Sequence, residues 1–214
     1  MTDVVEGVVK FKQELQRAPA LESKMLRGLD SWRSLLHRSG LIGQDSSRYN
    51  GKGYGNVSQR ASQYGSGSFI TSGTQTGGIK HLSPEHYTVV LSCFHEKNLV
   101  ISRGPIEASS ESMTHAVLYQ RDPDINFIFH SHSPEIWEAH RYLNIPSTRE
   151  EVEYGTPEMA REVLRLYDSE KIKDLGIFAM DGHKDGIMTF GKTAKEAGIT
   201  MFKYFKDSLE LRAF

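Results

Sequence analysis

Apolar residues recur at Leu21, Met25, Leu26, Leu29, Trp32, Leu35 and Leu36. This is the three-and-four spacing of an amphipathic helix, and Gly40 is placed to stop it. Pro19 sets off residues 1–18 as an N-terminal arm, leaving 19–214 as a single domain. A glycine-rich stretch then runs from Gly51 to Gly78, and within it GNVSQR (55–60) and SFIT (68–71) have the length and make-up of short strands. Residues 89–94 and 99–102 predict a hairpin around the polar turn His95-Glu96-Lys97-Asn98. Ser110 suits the N-cap of a helix over 111–121, which Pro123 must end. INFIF (125–129) is an apolar run of strand length that leads into His130. Pro134 can open a helix through Tyr142, and Pro157 stands at the first position of another. IFAM (177–180) and IMTF (187–190) predict two strands flanking a polar turn, and Thr193 caps a last helix. Strands joined partly by hairpins and interleaved with helices imply a mixed or antiparallel sheet covered by helices.

Composition narrows the function classes. The chain has 214 residues, 38% hydrophobic and 25% charged, which suits a folded domain with a full core. With 26 basic and 27 acidic residues the formal charge is -1, so neither nucleic acid nor an anionic membrane is expected as partner. No apolar run approaches the roughly 18 residues of a membrane span. Asp3 and Glu6 make the N-terminus unlike a signal peptide. The single cysteine, Cys93, lies in the apolar run VVLSCF and is expected as a buried structural thiol. A cytoplasmic location fits these features.

Candidate chemistry gathers at the histidines. Strand alternation puts His130 and His132 on one face, with Ser131 opposite. Paired neutral imidazoles suit zinc and similar ions, although two loop histidines would read the same way. His183, in AMDGHKDGIMTFG, is the candidate third ligand; an ordinary hairpin histidine is the alternative. Three protein ligands with one open position make a catalytic arrangement, whereas structural zinc sites are closed by four. Glu111, at a helix start, is either a dipole-compensating carboxylate or a general base beside the metal. His115, one turn later, can touch Glu111 and hold it in place; a plain helix-surface histidine is the alternative. Gly55-Asn56, Ser72-Gly73 and Ser109-Ser110 are small residues at loops or a helix start, where backbone N–H groups and hydroxyls can cradle a phosphate. Taken singly, each pair is ordinary turn chemistry.

In order, GNVSQR (55–60), FITSG (69–73), ASSE (108–111), THAVLYQRDPDINFIFHSHS (114–133) and DGHKDGIMTFGKTAKEA (181–197) resemble the class II aldolase/adducin family. The spacing of nineteen positions from Glu111 to His130 is similar to that of its sugar-phosphate aldolases. The resemblance implies an α/β fold, a three-layer α/β/α sandwich with a central, mainly antiparallel sheet. It implies Zn²⁺ (Mn²⁺, Co²⁺ or Fe²⁺ as alternatives) on His130, His132 and His183, with Glu111 as catalytic acid/base. Phosphate- or substrate-binding positions carry over to Gly55, Asn56, Ser72, Gly73, Ser109 and Ser110. The implied enzyme is a lyase of carbohydrate metabolism that cleaves or forms a C–C bond of a sugar, expected to be a sugar phosphate, through a metal-stabilised enediolate. A sugar-phosphate epimerase or dehydratase on the same site, and a non-catalytic adducin-like scaffold, are the alternatives. A homotetramer is implied as well. One departure stands out. The family's third-ligand turn is Asn-His-Gly, whereas here Lys184 and Asp185 separate His183 from Gly186.

Overall fold

The computed structural model describes residues 7–169 and 172–212. Residues 1–6 of the expected arm lie outside the described residues, and the remainder of that segment includes strand β1 (Lys12–Arg17). Helix α1 (Arg27–Arg38) begins later than the apolar spacing suggests, because a 3₁₀ turn over Ser23–Met25 precedes it. It ends before Gly40, where the N–H of Leu41 returns to the carbonyl of Leu36 at 3.0 Å. Two very short strands follow, β2 (Gly43–Gln44) and β3 (Gly53–Tyr54), paired with each other and joined by the loop 45–52.

The glycine-rich stretch contains the two expected strands as β4 (Asn56–Arg60) and β5 (Phe69–Ser72). The expected hairpin is present as β6 (Tyr87–Phe94) and β7 (Leu99–Gly104), antiparallel and turned at a left-handed Asn98. Helix α2 (Ser112–Arg121) has Glu111, not Ser110, at its N-cap position. Strand β8 (Phe127–His132) includes both histidines within the strand itself. Helix α3 (Pro134–Ala139) stops short of Tyr142, while Ser133 Oγ accepts the Ile136 N–H at its start. Helices α4 (Pro157–Ser169) and α5 (Ile172–Leu175) lead to the hairpin of β9 (Ile177–Met180) and β10 (Gly186–Gly191). Helix α6 (Ala194–Arg212) closes the described chain, with Thr193 Oγ1 accepting the Glu196 N–H at 3.1 Å.

Eight strands form one mixed sheet in the order β1-β7-β6-β5-β4-β8-β10-β9, antiparallel except for the β1–β7 pair. One core, with Met113, Val117, Ile128, Val163 and Met188, joins α2 and α4 to one face of the sheet. A second, with Leu29, Leu36, Val57, Phe129, Ile187 and Met201, joins α1 and α6 to the other. The architecture is therefore α/β/α in three layers. Strand alternation puts His130 and His132 on the same face as Ile128, beneath α2 and α4. Tyr204 packs in the opposite core. Among the described residues no helix is long and apolar enough to cross a membrane.

Candidate metal centre

The sheet register brings three segments to one place. His130 sits between Asn56 of β4 and Met188 of β10, and His132 stands opposite Gly186. His183 lies in the turn from β9 to β10, where its N–H returns to Met180 and its carbonyl accepts the Gly186 N–H. That turn is pinned from outside: a Cβ on Gly182 would lie 1.8 Å from the Val152 carbonyl oxygen, so only glycine fits. Gly55 is similarly constrained at φ +76, with His130 O 3.0 Å from where its Cβ would be.

The imidazoles of His130, His132 and His183 converge, with candidate ligand atoms all within 4.8 Å of one another. His130 Nε2 and His132 Nε2 are 3.1 Å apart. Donors at 2.0–2.1 Å around a tetrahedral ion stand about 3.3–3.4 Å from one another, so the pair has close to the separation that zinc needs. Ring planes of His132 and His183 are near perpendicular (83°), and those of His130 and His183 near parallel (27°). Burial, then His183 and Arg48, push the His132 pKa well below its ordinary value, which favours the neutral ring that a metal takes as ligand. The three residues fit a divalent ion in number, donor type and burial.

Glu111 projects from the start of α2 into the same space, with Oε1 3.7 Å from His183 Nδ1. Thr114 donates to its Oε2 at 2.9 Å. The three histidines and Glu111 are each only 1% exposed. His115 takes neither of its two expected roles, contact with Glu111 or an exposed place on the helix surface. Its Nδ1 meets Ser58 Oγ at 2.7 Å, and its ring stacks on Phe69 in the core. An i+4 spacing permits contact, but the buried hydroxyl across the sheet is the partner that His115 takes.

The small residues divide. Gly55, Asn56, Gly73, Ser109 and Ser110 line one narrow cleft of about 20 Å³, which Gly7 also borders; among the described residues no lysine or arginine lines it. A space of this size holds one or two waters as it stands. Ser72 is not part of the lining; its Oγ accepts the Val57 N–H at 3.2 Å within the sheet.

Several residues at the site carried no signal in the sequence. Tyr154 stacks on His183 at 4.2 Å and 18°, with Lys10 Nζ 3.9 Å from its ring centre on the N-terminal segment. Tyr49 meets His132 edge-on at 4.8 Å, and Tyr54 lies 5.4 Å from the same ring. Tyr49 also donates to Asp185 Oδ2 at 2.5 Å, and Arg48 Nη2 is 3.5 Å from that oxygen. Burial and then Asp185 hold the Tyr49 hydroxyl protonated, well above the usual phenol range. Only Thr114, one turn from Glu111, could have been picked out by spacing. Glu151 and Glu153 are exposed, and Glu153 is paired to Lys10 at 3.1 Å.

Comparison with known proteins gives a consistent picture. The family model of the class II aldolase and adducin N-terminal domain matches residues 45–206. Among solved structures, L-fuculose-1-phosphate aldolase from Thermus thermophilus is 20% identical at a TM-score of 0.62, covering 90% of this chain and 94% of that one. Sugar-phosphate aldolase from Thermotoga maritima is 15% identical at a TM-score of 0.65, covering 89% and 94%. The N-terminal class II aldolase domain of a conserved protein from Thermoplasma acidophilum is 17% identical at 0.55, covering 91% and 96%. At these identities the likeness is one of fold. A comparison with curated proteins gives no significant sequence match.

Proposed function

The chain belongs to the class II aldolase and adducin N-terminal domain family, and on that premise we propose that it is a metal-dependent lyase that makes or breaks a C–C bond of a sugar or sugar phosphate. The observation that carries this reading is the convergence of three buried imidazoles with a buried carboxylate. A scaffold domain has no use for four such groups in one buried space, where burying them costs stability.

His130, His132 and His183 are assigned as ligands of one divalent ion, with zinc the ion that their donor set and spacing suit best. When bound, the ion supplies Lewis-acid polarisation of a substrate carbonyl and its neighbouring hydroxyl. Glu111 Oε1 is the atom assigned to proton transfer, since it faces His183 while Thr114 holds Oε2. Thr114 thereby fixes which carboxylate edge is presented. As a carboxylate, Glu111 is assigned to take the proton of the hydroxyl on the departing carbon as the C–C bond breaks and to return that proton to the carbon left with the electron pair. The burial of all four groups limits the proton's exchange with solvent. Gly55, Asn56, Gly73, Ser109 and Ser110 are assigned to the substrate's terminal group, through neutral donors only.

Bound metal per chain, measured by plasma mass spectrometry on wild type and His183→Ala, tests the reading. About one divalent ion per chain, lost in the variant, is expected. Glu111→Gln should keep the ion and lower retro-aldol turnover of L-fuculose 1-phosphate by roughly 10²–10⁴-fold. Wild type that holds no metal after reconstitution overturns the proposal.

A further inference from the structure

The two segments that carry the ligands are joined by a side-chain cluster that metal ligation and proton transfer do not use. Tyr49 lies in the loop 45–52 between β2 and β3. Its ring packs edge-on against His132, while its hydroxyl donates to Asp185 Oδ2, 136 positions away in the turn that carries His183. Arg48 donates to the Tyr49 hydroxyl, lies 3.5 Å from the same carboxylate oxygen, and covers the rings of Tyr49 and Tyr54 at 4.8 and 5.1 Å. Asp185 is additionally tied to the end of β8, because its carbonyl accepts the Ser133 N–H at 2.8 Å.

Backbone conformation indicates that this arrangement is held rather than incidental. Tyr49 and Asn50 have φ of +52 and +55, and Asp185 has φ +64. An aromatic side chain rarely adopts the left-handed region, and a strained residue persists only where its surroundings enforce it. Those surroundings are present: Asp45 Oδ1 accepts the Ser47 N–H and hydroxyl at 2.8 and 2.7 Å, and Gln44 Nε2 donates to Gly51 O at 2.7 Å. Strain therefore stands at both ends of the Tyr49–Asp185 hydrogen bond.

We propose that Tyr49, Asp185 and Arg48 form a clamp that sets the His183 turn against the His130–His132 strand, making Tyr49 and Asp185 positioning residues of the metal centre. The inference rests on the assignment of the three histidines as metal ligands. Groups that orient ligands from just outside a metal site typically change affinity by about 10–100-fold when removed. A lock that merely tidies a loop changes stability without that effect.

Cobalt(II) titration of the metal-free full chain, in competition with a chromophoric chelator, separates the cases. Tyr49→Phe keeps the ring against His132 and deletes only the hydroxyl; Asp185→Asn weakens the other end. Each is expected to weaken Co²⁺ binding about 10–100-fold and to alter the visible spectrum of the bound ion. The double variant should be no worse than the poorer single one, because both remove the same link. Metal-free Tm, read alongside, reports folding separately. Affinity within twofold of wild type in both variants, or losses that simply add, would overturn the clamp, whatever happens to Tm. Wild type that binds no Co²⁺ would instead overturn the ligand assignment itself.

Discussion

His115 offers a sharp test of how this core was built. It is fully buried, bonded through Nδ1 to Ser58 and stacked on Phe69, and burial pushes its pKa down to about 3 from 6.5. A base whose folded pKa is depressed stays neutral in the native state and takes up a proton on unfolding. Its stabilising effect is therefore complete above the unfolded value and is lost as pH falls from about 6.5 toward 3. At pH 5 the unfolded chain holds this proton almost fully and the native chain hardly at all. Linkage then lowers stability by about 2 kcal/mol relative to pH 7 from this one group. Urea unfolding of the metal-free protein between pH 5 and 7.5, for wild type and His115→Gln, isolates the contribution, because other titrating groups are common to both. The variant should be the less stable protein at pH 7, and its deficit should shrink by about 2 kcal/mol by pH 5. Parallel profiles would refute the reasoning and mean that His115 takes up its proton equally in both states.

Three further outcomes follow from the structure. Thr114→Val keeps the side-chain shape but removes the donor to Glu111 Oε2. Losing a hydrogen bond to a charged group costs about 1.5–3 kcal/mol, so kcat should fall roughly 10–100-fold with metal content unchanged; an unchanged kcat would sink the role given to Thr114. Gly182→Ala forces a Cβ against the backbone oxygen of Val152, and a Tm drop matching about 1–3 kcal/mol, with weakened metal retention, is expected by calorimetry; a variant with wild-type Tm and metal would show that the turn can move. Cys93 is buried, with burial pushing its thiol up to about 12, so Ellman's reagent at pH 8 should modify no thiol in the native protein and one per chain in denaturant.

Much of the fold was legible because its signals are local. The hairpins of β6–β7 and β9–β10, the proline-started α4 and the Thr193 cap follow from neighbouring residues, and each stands where spacing and turn chemistry place it. Boundaries moved where local rules compete. The start of α1 gave way to a 3₁₀ turn that keeps Leu21 and Met25 packed on the core without continuing the helix. The joining of His130, His132 and His183 was legible for a different reason. Two of them are neighbours on one strand, and the family pattern supplied the third. For His115, helical spacing tells which residues can meet, and not which partner across the sheet competes better. Ser58 lies 57 positions away and wins that contest. The resemblance gives Ser72 a phosphate-binding position, and the pairing of β4 with β5 turns its hydroxyl onto a backbone N–H.

Thr114 apart, the site residues that the sequence does not single out share one property: their partners lie far off in the chain. Tyr49 and Asp185 are unremarkable by type and spacing, and only the sheet order, which sets β4, β8 and β10 side by side, brings their loops together. The same order bears on the turn that carries His183. Lys184 and Asp185 separate His183 from Gly186 and lengthen the turn, which puts Asp185 within reach of Tyr49. The lengthened turn and the loop 45–52 are thus two halves of one feature, each strained by itself and each held by the other. A substitution in either half is expected to act on the histidines at the centre, and hardly at all on the distant core that contains Leu29 and Met201.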